Sequence, residues 1–131
     1  MITQDVKQLL DEASADLNLM SKESDRYGGG SPEFMICWTL KNCVAKFLIS
    51  YLKVNEVDTS GMINISDLMQ HCTSKDAAFN DVDIEQLNCR HSVNGELSAC
   101  YCVEQGHMRS CIDEAKKIKD IVYRKLELNF A

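Results

Sequence analysis

The sequence predicts an all-α fold, an up-and-down helical bundle of four to five helices. Three observations predict it. Apolar residues recur at helical spacing along three long segments, and polar residues fill the opposite faces. Serine, threonine, proline and glycine stand where helices should start or stop. No long run of alternating apolar and polar residues marks a sheet. Helices with one apolar stripe must bury those stripes against one another, and a bundle does so.

The first segment runs from residue 3 to about 25. Val6, Leu9, Leu10, Ala13, Leu17 and Met20 form its stripe, Thr3 is the candidate cap, and Asp5 suits the positive end of the helix dipole. Gly28-Gly29-Gly30-Ser31 ends it, because three glycines cannot hold a helix. Residues 28–34 read as a flexible loop, with an engineered linker as the alternative. Ser31, Pro32 and Glu33 then open a second helix, by capping, by proline at the first helical position, and by a carboxylate at the dipole. It extends to about residue 53. Phe34, Ile36, Trp38, Leu40, Val44, Phe47, Leu48, Tyr51 and Leu52 wrap much of its circumference, so it should be the central, most buried helix.

Residues 55–61 read as a polar connection without strong structure. A shorter helix starts near Ser66, capped by Ser66 or Asn64, with Leu68, Met69 and Cys72 inward. Residues 73–76 read as a loop, and Ala77, Ala78, Phe79, Val82, Ile84 and Leu87 as a less regular segment containing a short helix. Over residues 88–102 the Asn94-Gly95 pair allows a small hairpin or a structured loop. The last helix spans about 103–128, with Met108, Cys111, Ile112, Ala115, Ile118, Val122 and Leu126 as its stripe.

Residues 1–131 form a single domain, since 131 residues supply one ordinary core. Apolar residues at 45% and charged residues at 26% are globular values. The formal charge of -6 argues against a strong non-specific grip on nucleic acid, which needs clustered Lys and Arg. Seven cysteines is an odd count, the polar start carries no secretory signal, and Cys37, Cys43, Cys72 and Cys111 fall in apolar helical patterns. They read as small buried hydrophobes in a reduced, cytoplasmic protein. No stretch of eighteen apolar residues suggests a membrane span.

Three groups of residues could carry chemistry. Arg90 and His91, with His107 and Arg109, could supply a base and a phosphate-binding cation for metal-independent RNA cleavage. They read equally as solvated loop residues, and adjacent side chains on an extended backbone diverge. Cys89, His91, Cys100, Cys102, His107 and Cys111 are zinc-type ligands, but only His107 and Cys111 stand at i, i+4, and no Cys-x2-Cys knuckle is present. Reduced cysteines in a core explain them as well. Lys116 and Lys117, with Lys119, Arg124 and Lys125, could meet RNA phosphates, as could Arg90. A solvated face is the commoner role of such a group, and Asp113 and Glu114 stand at spacings that allow i, i+3 or i, i+4 pairs with it.

The order of elements resembles the HEPN family of small helical-bundle domains over nearly the whole chain. An amphipathic first helix leads to a loop ending in the aromatic Phe34, and an apolar second helix carries Lys41 or Lys46 near its middle. Ile65-Ser66-Asp67-Leu68 is similar to the family's His-Asp-Leu stretch, without the histidine. Cys89-Arg90-His91 stands where an Arg-Tyr-Pro-like element precedes the last helix, and Cys111-Ile112-Asp113-Glu114-Ala115 is similar to its alanine-containing start. The resemblance implies either an RNase with an Arg-x4-6-His motif at a dimer interface or a non-catalytic partner of a nucleotidyltransferase, often in a toxin–antitoxin pair. The chain departs from the catalytic pattern. The histidine would fall at Gly95, Glu96 or Leu97 after Arg90, and at Glu114, Ala115 or Lys116 after Arg109. The expectation is therefore a homodimeric, non-catalytic binding module that docks a nucleotidyltransferase-type protein, with a nucleotide or RNA as a further ligand and no cofactor. The alternatives are an RNase with a rearranged Arg/His site and a zinc-stabilised helical domain.

Overall fold

The computed structural model describes residues 3–27, 33–62, 64–82 and 105–126, with side chains of 3–22, 39–62, 64–82 and 109–126. Among the described residues, four α-helices and one 3-10 turn make an all-α bundle: α1 (Gln4–Tyr27), α2 (Glu33–Val54), α3 (Ile65–Lys75), the 3-10 turn (Ala77–Asp81) and α4 (Gln105–Lys125). Residues 88–102, read as a small hairpin or a structured loop, lie outside the described residues.

α1 starts where its cap dictates. Thr3 Oγ1 accepts the Val6 N–H at 3.3 Å and Asp5 sits in the first turn. Val6, Leu10, Ala13 and Leu17 are buried, while Leu19 is 51% exposed on the far face. The helix lies antiparallel to α2: Lys46 of α2 binds Glu12 at 3.1 Å, and Lys53, two turns further on, shares a shallow cleft with Asp5, Gln8 and Leu9.

α2 is the central helix and packs on α1, α3 and α4. Leu40, Val44, Phe47, Leu48 and Leu52 are all 1% exposed or less. Burying a side chain of that size contributes about 1.5–3 kcal/mol, so this helix carries much of the core. Two polar residues are buried with it. Ser50 Oγ donates to the Lys46 carbonyl at 2.7 Å, so its hydroxyl is satisfied. Lys41 is 3% exposed, where a polar group needs a partner, and it has one within the chain.

The connection after α2 is more ordered than its sequence suggests. The Val57 N–H donates to the Leu52 carbonyl at 2.9 Å and the Glu56 N–H to the Lys53 carbonyl at 3.0 Å. Glu56 has φ 61. This is a Schellman cap with glutamate at the left-handed position where glycine is usual, and Val57 packs against the core beside it. The cap escapes a sequence reading because that glycine is missing.

Asn64, rather than Ser66, caps α3: its Oδ1 accepts the Asp67 N–H at 2.8 Å. The expected loop over residues 73–76 is corrected. Thr73, Ser74 and Lys75 are helical, and only Asp76 is extended. The helix continues because Leu68, Met69 and Cys72 are buried against α2, and that packing outweighs the weak helix preference of Thr and Ser. Asp76 then serves two elements. Its N–H donates to the Cys72 carbonyl at the end of α3, and its Oδ1 accepts the Ala78 N–H at the start of the 3-10 turn. Phe79 in that turn is fully buried, edge-on to Tyr51 at 4.9 Å between ring centroids.

α4 closes the bundle. Cys111, Ile112, Ala115, Ile118 and Val122 are buried as their spacing predicts, together with Ile121 and Tyr123. Tyr123 meets Phe47 of α2 at 6.3 Å and reaches Ser14 of α1 through its hydroxyl.

Candidate functional site

Of the residues nominated by the sequence, the side chains of Arg109, Cys111, Lys116 and Lys117 are described, and all four belong to α4. Arg90, His91, Cys89, Cys100 and Cys102 lie outside the described residues, and His107 is placed only by its backbone in α4. Arg109 is exposed on that helix, and Cys111 points the other way with 3% exposure. Cys111 is thus a buried thiol on the core side, as are Cys43 and Cys72. Burial pushes the Cys43 and Cys72 thiols up to about 12, with the Asp16 carboxylate adding to the shift at Cys43. Among the described residues, no group of three or more His, Cys, Asp or Glu side chains is placed to hold a metal ion.

Among the described residues, the nominated cations Arg109, Lys116 and Lys117 stand exposed on α4. Arg109, Asp113, Lys116, Asp120 and Arg124 are all exposed and recur every three or four residues, with exposed Lys117 beside them. A helix brings such positions onto one stripe, where opposite charges support each other by about 0.2–0.5 kcal/mol per pair. Cations of the helix are engaged within the chain. Lys117 Nζ is 2.9 Å from Glu114 Oε2, on a side chain only 8% exposed. Lys125 Nζ is 3.0 Å from Asp76 Oδ2. Lys119 Nζ stands 5.4 Å from the centre of the Tyr123 ring. The Arg124 Nε–H donates to the Asp120 carbonyl at 3.4 Å. The Glu114–Lys117 pair realises the i, i+3 spacing visible in the sequence.

Two open clefts border this region and the neighbouring turn. One, of about 460 Å³, lies between the 3-10 turn and α4 and is lined by Asp81, Lys117, Asp120, Ile121 and Arg124. The other, of about 470 Å³, lies between α3 and the turn, with Met69, Phe79 and Val82 on its apolar wall.

Sequence reasoning missed Asp76, which ties three elements together. Hydrogen bonding from the Ala78 N–H, with help from Lys125, holds its carboxyl below the usual carboxylate range. The signal was present as an aspartate directly before Ala77-Ala78, a normal capping position. No helix among the described residues is long and apolar enough to cross a membrane. Comparison with known proteins adds no relative: no family model, no curated protein and no solved structure matches this chain.

Proposed function

We propose that the chain is a non-catalytic, HEPN-like binding module that acts in the cytoplasm as a homodimer and docks a nucleotidyltransferase-type protein. The observation that carries this reading is the central helix. α2 is enclosed by α1, α3 and α4, and it holds a buried lysine, Lys41, near its middle. The HEPN resemblance calls for a lysine near the middle of an apolar second helix; Lys41 and Lys46 both stand there, and Lys46 is a half-buried partner of Glu12.

The state of the α4 cations favours a protein partner over an RNA backbone. Phosphate binding draws its affinity from cations that release counterions. Here Lys117 and Lys125 are already paired within the chain, and Asp113 and Asp120 interrupt the exposed stripe. A toxin–antitoxin role for the pair follows from the resemblance.

The test is recovery of the tagged chain from its own host, with quantitative mass spectrometry of what comes with it. A nucleotidyltransferase at near-equal amount is the expected result. Recovery of the chain with no such protein overturns the reading. RNA cleavage by the purified chain in EDTA, abolished in Arg90→Ala or His91→Ala, would replace it with the nuclease alternative.

A further inference from the structure

We draw no further inference here: the strongest candidate, the open cleft between the 3-10 turn and the outer face of α4, carries nothing, because it is lined by two carboxylates as well as two cations and nothing in the structure shows what covers it.

Discussion

The hydroxyls of Ser14 and Tyr123 lie 2.5 Å apart across 109 residues of sequence and join the first helix to the last. Tyr123 is 7% exposed and its ring rests edge-on against Phe47, so one side chain touches both α1 and α2. The bond is a short O–H···O contact at a half-buried site. It pins the register of α4 against α1, where nonspecific apolar contact would allow sliding.

Removing that hydroxyl should therefore cost a typical hydrogen bond. Tyr123→Phe is expected to lower unfolding free energy by about 1 kcal/mol in urea titration, with an unchanged slope. Ser14→Ala should do the same, and the double substitution should cost no more than the larger single one. Strictly additive losses would show that the two hydroxyls do not support each other.

Asp76 predicts a pH dependence. Its carboxyl is held low in the fold, so the folded state favours the charged form. The stability it contributes is present above the ordinary aspartate range and is lost as pH falls through the lower folded value, below about 4. Asp76→Asn keeps a side-chain acceptor for the Ala78 N–H but drops the ion pair with Lys125. It should destabilise at pH 7 less than Asp76→Ala. The gap between Asp76→Asn and the parent protein should close in acid, as followed by thermal unfolding from pH 7 to pH 3. A gap that stays constant over that range would remove Lys125 and the capping bond as its cause.

Glu56 occupies a left-handed backbone position at φ 61 that disfavours any residue with a Cβ. Glu56→Gly should raise stability by up to about 1 kcal/mol, because relief of that strain exceeds the entropy that glycine adds to the unfolded chain. Glu56→Val, β-branched at the same place, should lower it. Equal stability of the two variants in chemical denaturation would mean the cap is not formed in solution.

The buried thiols should be inert. Cys43, Cys72 and Cys111 are 3% exposed or less, and the first two are pushed to about 12. A thiol reagent at pH 8 should leave all three unmodified in the native protein and label them once urea unfolds it, as resolved by peptide mapping. Rapid native labelling of Cys72 would contradict its place between α3 and the Leu48 carbonyl.

The sequence by itself determined the helices and their inward faces. Val6, Leu10, Ala13 and Leu17 in α1, and Cys111, Ile112, Ala115, Ile118 and Val122 in α4, repeat at the period of one helix face, and every one of them is buried. Thr3 caps its helix through a neighbour three residues away, so short-range chemistry placed that start, whereas the choice of Asn64 over Ser66 for α3 was left to the fold. Only the tertiary structure decided the rest. Lys41 and Lys46 are five residues apart on one helix, yet one is buried and the other meets Glu12, because neighbours from distant sequence differ on the two faces. Residues 73–75 are helical because α2 lies beneath Cys72 and Met69, against the weak preference of Thr73 and Ser74. Which cations of α4 are engaged depends on Asp76 and Tyr123 as well as on spacing. Local periodicity and capping act within a few residues and are written in order along the chain. Pairings such as Ser14 with Tyr123 exist only once the apolar stripes have set the helices side by side.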